Sequence, residues 1–131
     1  VKDKGHPQIS SKLAKPFLRK IKISKEETKI IIEAIVSHDK DKIEAAKYIE
    51  SRILFDADKL QILSVFGFIR VLVWLIEERK MEMNKAVNFL WEYCNEVREK
   101  YLFTKEAKRI VDKEFKILKK VIQAYTDWQN I

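Results

Sequence analysis

The sequence predicts an all-α fold, and three observations lead there. The 131 residues include only two glycines and two prolines, too few for the many tight corners of a sandwich or barrel. No segment sustains the period-two alternation of a half-buried strand. Polar helix-start signals recur along the chain, each followed by apolar residues at helical spacing. At 47% hydrophobic, a chain of this length can bury one core. That composition excludes a disordered tail, and a single cysteine excludes a disulfide scaffold.

Taken in order, Gly5-His6-Pro7 opens a first helix whose Ile9, Leu13, Phe17 and Ile21 recur every four residues, with Pro16 expected to kink or restart it. Ser24 and Glu27 form a capping box for a second helix, Lys25 to about His38, with Ile31, Ala34, Ile35 and His38 along one face. Asp41 and Glu44 repeat the signature and start a third helical region, in one or two pieces, that reaches about Arg79. Asn84 is the expected cap of a fourth helix ending near Tyr101, and Thr104 of a last one. On that last helix Ala107, Ile110, Val111, Leu118, Val121, Ile122 and Tyr125 make a broad apolar stripe.

The formal charge of +7 is unevenly spread. Residues 1–30 carry nine basic against three acidic side chains, an excess of +6, and the remainder is nearly balanced. Abundant Lys, Glu and Ile with few Asn, Gln and Met fit a thermophile. Cys94 falls in helical register with Val87, Leu90, Trp91 and Val97, as a small buried hydrophobe in a reducing compartment would. No secretory signal is visible. The longest apolar stretch, Ile62 to Ile76, is 15 residues long and contains Arg70, whereas a membrane span needs about 20. A cytoplasmic protein without a membrane partner is expected.

Candidate chemistry concentrates in Leu54-Phe55-Asp56-Ala57-Asp58-Lys59-Leu60-Gln61-Ile62. On a helix the two aspartates point about 200° apart. Asp56, with Arg52 four residues before and Lys59 three after, reads as part of a solvated, ion-paired face. Asp58 lies between Leu54-Phe55 and Gln61-Ile62, and a carboxylate on such an apolar face needs a cation, either a basic side chain or a metal. His38 ends the apolar face of the second helix, as a structural histidine or a functional one. His6 and His38 are the only histidines, and both sit at helix boundaries.

The ordered set Gly5-His6-Pro7-x-x-Ser10, Ala34-Ile35-x-x-His38, Asp56-Ala57-Asp58-Lys59-Leu60 and Gly67-x-x-Arg70 resembles the HD superfamily of metal-dependent phosphohydrolases. Tyr101-Leu102-Phe103-Thr104-x-x-Ala107-Lys108, followed by a long helix, is similar to the stretch that ends those domains. The likeness covers nearly the whole chain. It implies a single HD-type helical domain of about five to six helices, truncated at its N-terminal end. It implies Asp58 as a metal ligand, His38 and Lys59 as catalytic groups, and His6 and Arg70 as contacts to the substrate phosphate. His6 and His38 match accessory histidines, which complete a second metal site or touch the phosphate in some members. Arg70 also has the alternative of pairing with a core carboxylate.

The implied cofactor is a divalent metal, Mn, Mg, Co or Ni, and the implied partner a nucleotide or other phosphorylated small molecule. Three features depart from the family pattern. His38-Asp39 spells His-Asp, but its Ile-x-x-His context matches the accessory histidine. The family's defining pair and first histidine precede the Gly-His-Pro segment, so three of four primary ligands are expected upstream of a chain that begins at Val1. Gln61 stands where relatives often carry an aspartate. Two alternatives remain at this level: a degenerate HD-like domain used for homo-oligomerisation, and a nucleic-acid-binding module using the basic first 30 residues. The second is disfavoured, because no aromatics interleave those lysines.

Overall fold

The computed structural model describes residues 6–39 and 41–129, and the chain is all-α. Gly5, the first residue of the Gly-His-Pro segment, lies outside the described residues. Six α-helices are described: α1 His6–Lys20, α2 Lys25–Ser37, α3 Ile49–Ile62, α4 Val65–Glu77, α5 Met83–Glu96 and α6 Lys105–Gln129. A 3₁₀ turn, Ile43–Ala45, precedes α3, and a π-helical turn, Val97–Tyr101, extends α5. Two compact units divide the chain, residues 1–55 and 56–131, with the boundary inside α3. Among the described residues no single helix is long and apolar enough to cross a membrane.

In the first unit α1 and α2 form a helical hairpin. The α1 end is closed by two hydrogen bonds, from Lys22 N to the Arg19 carbonyl and from Ile23 N to the Leu18 carbonyl, both 3.1 Å. This Schellman arrangement requires Lys22 in the left-handed region, at φ 59°. The Ser24–Glu27 capping box then starts α2 as expected. Pro16 is carried inside a continuous α1. The four-residue repeat on α1 faces outward: Ile9, Leu13, Phe17 and Ile21 are exposed, while Pro7, Ser11 and Leu18 are buried. Periodicity identified the helix but not which of its faces meets α2.

The expected Asp41–Glu44 capping box does not form. The segment makes only the 3₁₀ turn, whose preceding residue Lys42 gives no side-chain cap. The start of α3 is served from α2 instead. Glu33 Oε1 accepts from Lys47 N (2.9 Å), Tyr48 N (3.0 Å) and the fully buried Ser51 hydroxyl (3.0 Å). Burial pushes the Glu33 carboxyl upward, but these three donors outweigh it and hold the group below its ordinary value.

The second unit has a continuous apolar core. Phe68 and Leu75 of α4, Ala86, Val87, Leu90 and Cys94 of α5, and Ala107, Val111, Phe115, Leu118 and Ile122 of α6 are all buried in one cluster. Cys94 sits where its register predicted, and burial pushes its thiol up to about 12. Two members of the predicted α6 stripe, Ile110 and Val121, are exposed, and Phe115, stacked on Trp91 at 5.1 Å, takes the inner position. The α5 cap is Glu82, whose carboxylate accepts from Asn84 N and Lys85 N, and not Asn84. Asn84 Oδ1 accepts from the Tyr125 hydroxyl of α6. At the start of α4, Ser64 caps Gly67 N, and a Cβ on Gly67 would lie 1.7 Å from the Gln61 carbonyl oxygen. The α3–α4 corner therefore closes only around glycine.

Candidate metal centre

The hairpin itself brings the two histidines together. His6 begins α1 and His38 directly follows α2, and the left-handed Lys22 turn lies midway between them in sequence. Antiparallel arms of equal length return to the same end. His6 Nε2 and His38 Nε2 are 3.0 Å apart, with the rings edge-to-face at a centroid distance of 5.0 Å. The Asp39 carboxylate lies 3.8 Å from His38 Nε2, and one ligating atom from each of His6, His38 and Asp39 falls within 4.8 Å of the others.

The tautomer of His38 follows from its other nitrogen. Nδ1 is 2.6 Å from the Ile35 carbonyl oxygen. A carbonyl only accepts, so Nδ1 carries the hydrogen and the neutral ring presents a lone pair at Nε2. A lone pair aimed at a second imidazole nitrogen is met either by a hydrogen on His6 Nε2, as an N–H···N hydrogen bond, or by a metal ion between the two. Two nitrogens sharing one divalent ion at about 2.1 Å and a right angle would be about 3.0 Å apart, which matches the observed spacing. Backbone fixation of the remote nitrogen is also the usual support for a metal-binding imidazole. The donor set of two imidazoles and a carboxylate fits a divalent transition metal.

The remaining predicted residues lie in the second unit. Asp58 does not sit on a buried apolar face: its side chain is about half exposed and bonds to Lys59 Nζ at 2.7 Å. Asp56, expected on the solvated face, is the buried one. Its carboxylate accepts from Phe103 N at 3.0 Å, and from Thr104 N and the Thr104 hydroxyl, both at 2.7 Å. Thr104 in turn accepts from Ala107 N to cap α6 as predicted. The reason is that a carboxylate can be buried when it meets converging donors at a helix start. Those donors lie more than 40 residues away in sequence.

Arg70 is exposed and contacts Gln61 Oε1 at 3.5 Å, so Gln61 does take part in a polar contact. Asp39 is the site residue that the sequence reading set aside. Its signal was adjacency to His38, which the motif comparison discounted. Compared with known proteins, the chain matches no family model, no curated protein and no solved structure.

Proposed function

We propose that this chain belongs to a divalent-metal-dependent phosphohydrolase of the HD type, acting on nucleotides or related phosphoesters. The observation that carries the reading is the convergence of His6 Nε2 and His38 Nε2 to 3.0 Å beside Asp39. The order of the Gly-His-Pro, Ile-x-x-His and Ala-Asp-Lys-Leu segments supports it independently. His6, His38 and Asp39 would hold one cation, and Asp58 is proposed as a ligand of the superfamily's other metal position. A divalent cation supplies Lewis acidity, making water more acidic and polarising a phosphoryl oxygen.

The chain's own residues supply the rest. The Ile35 carbonyl keeps the His38 lone pair directed at the site, so that His38 either ligates or accepts a proton from water. His6 Nδ1, the nitrogen left over when Nε2 ligates, donates a hydrogen bond to a phosphate oxygen. Lys59 and Arg70 are the cationic groups that the resemblance assigns to neutralising phosphate.

Calorimetric titration with Mn²⁺ tests the cluster. His6→Ala and His38→Ala should each weaken binding by 10-fold or more. The same Mn²⁺ affinity in both variants and the parent would remove this site. Phosphate release from nucleoside monophosphates with Mn²⁺, Mg²⁺, Co²⁺ or Ni²⁺ tests the activity. Release lost in Asp58→Ala supports the assignment of Asp58, and no release with any of these metals from a protein that carries the upstream ligands argues against the hydrolase.

A further inference from the structure

The α1 helix has two unlike sides. At about 100° per residue, Pro7, Ser11 and Leu18 share one side, and all three are buried. Ile9, Leu13 and Phe17 fall within about 80° of one another on the other side, and they are 61%, 70% and 60% exposed. Ile21, in the turn that follows, is exposed as well. Side chains this open form a ridge, not a groove. From Ile9 to Phe17 the ridge runs about 12 Å along the helix.

The charge beside the ridge is of one sign. α1 contains Lys12, Lys15, Arg19 and Lys20 and no acidic residue. The three acids of α2 are committed elsewhere: Glu26 to Lys29 at 3.1 Å, Glu27 to the Ser24 amide, and Glu33 to the start of α3. Lys15 lines a groove along α2 together with Asp41, which still leaves Lys12, Arg19 and Lys20, all exposed. Lys12 and Arg19 lie about 60–80° to one side of Ile9, and Lys20 continues the line of the ridge at the helix end. A helix with an apolar side flanked by basic residues has the arrangement of one that lies in the plane of a lipid interface.

We infer that the outward side of α1 docks on the surface of an anionic phospholipid bilayer. Ile9, Leu13 and Phe17 enter the acyl boundary, while Lys12, Arg19 and Lys20 stay at the phosphates. A second copy is the poorer occupant, because packing ridge on ridge would bring the same cations of both copies together. A ridge also suits a deformable acyl layer, which needs no preformed groove. Among the described residues no single helix is long and apolar enough to cross a membrane, but lying on a membrane is a different geometry from crossing it. A surface-bound helix thus leaves the absence of a span intact and departs from the expected lack of a membrane partner. The docking does not depend on the proposed phosphohydrolase chemistry, and it uses none of His6, His38 and Asp39.

Flotation of the full chain with phosphatidylcholine vesicles, with and without about 30 mol% phosphatidylserine, tests the inference. Binding is expected only with phosphatidylserine, and should fall about 10-fold or more in about 0.5 M salt. Leu13→Glu should weaken it about 10-fold or more, and so should Lys12→Glu with Arg19→Glu. All three positions are exposed, so the circular dichroism of these variants should match the parent. Cys94 is buried, which lets a polarity-sensitive fluorophore on Leu13→Cys report alone. Its emission should shift to the blue on the anionic vesicles, and the same label on Phe66→Cys, an exposed apolar position of the second unit, should not shift. No binding to phosphatidylserine vesicles at low salt would overturn the inference and point to an acidic protein groove. Binding undiminished by Leu13→Glu, or a blue shift at position 66 alone, would also overturn it. A dimer that forms without lipid and is broken by Leu13→Glu would assign the ridge to a second copy instead.

Discussion

Residues 6–55 and 56–129 are held by different means. In the second region α4, α5 and α6 share one continuous apolar cluster. In the first, Leu18, Ile43 and Phe55 are buried beside much that is small or polar, including Ser11, Ser37, Ser51, Ala34 and Ala46, while Ile9, Leu13 and Phe17 of α1 lie outside. Local polar devices define its geometry: the left-handed Lys22 turn, the Ser24–Glu27 box and the Glu33 carboxylate. The histidine cluster is thus positioned by hydrogen-bonded turns, whereas the second region is organised by packing. Substitutions should therefore fall into two classes.

The largest effect is expected where packing meets backbone. Gly67→Ala would drive a methyl into the Gln61 carbonyl, which cannot rotate away. A loss of more than about 3 kcal/mol is expected, read as a lowered urea midpoint and faster amide exchange in α4 and α5. A variant as stable as the parent would show that the α3–α4 corner is more open than described. Asp56→Ala comes next. It strands the Phe103 and Thr104 amides and the Thr104 hydroxyl, for about 2–4 kcal/mol and early fraying of α6. If Asp56 were the solvated residue its sequence context suggests, the change would be within about 0.5 kcal/mol.

Polar positioning should give smaller, pH-dependent effects. Glu33→Gln keeps an acceptor but loses its charge, for about 1 kcal/mol at neutral pH. The folded-state value of Glu33 is lowered from 4.5, so its contribution is present above the unfolded value and disappears as pH falls through the lowered one. The stability gap between parent and Glu33→Gln should therefore close below about pH 4.5. A gap that stays constant to pH 3 would show that the charge contributes nothing. The smallest change is a gain. Lys22→Gly removes the penalty of a side chain at φ 59° and should add about 0.5–1 kcal/mol without altering Mn²⁺ affinity. A loss of stability would mean that the Lys22 side chain itself supports the turn.

Part of this arrangement was legible in the residues. The Ser24–Glu27 and Thr104–Ala107 caps were readable because their partners lie three residues apart, a spacing that helix geometry makes local. Cys94 was placed by its register with Leu90 and Val97. The Asp41–Glu44 signature failed because a cap also needs a helix worth starting, and here only a 3₁₀ turn follows. Asn84 and Glu82 show the same limit: both are capping residues, and a contact to Tyr125 across the unit engages Asn84. Of the site, type and position point to both histidines, while the Ile-x-x-His context directs attention away from Asp39 and the apolar neighbours of Asp58 suggest a burial that Asp56 has.

By itself, then, the sequence determined the helical class, the starts of α2 and α6, the α5 core register and the two histidines. These depend on propensity and on partners within one turn of helix. Tertiary structure alone decided that α1 turns its periodic apolar face outward, that Asp56 and not Asp58 is buried, and that His6 and His38 meet at 3.0 Å. Those outcomes depend on which surfaces come together across 32 to 48 residues of chain. Burial and hydrogen-bond satisfaction are properties of the assembled unit, so local spacing could not specify them.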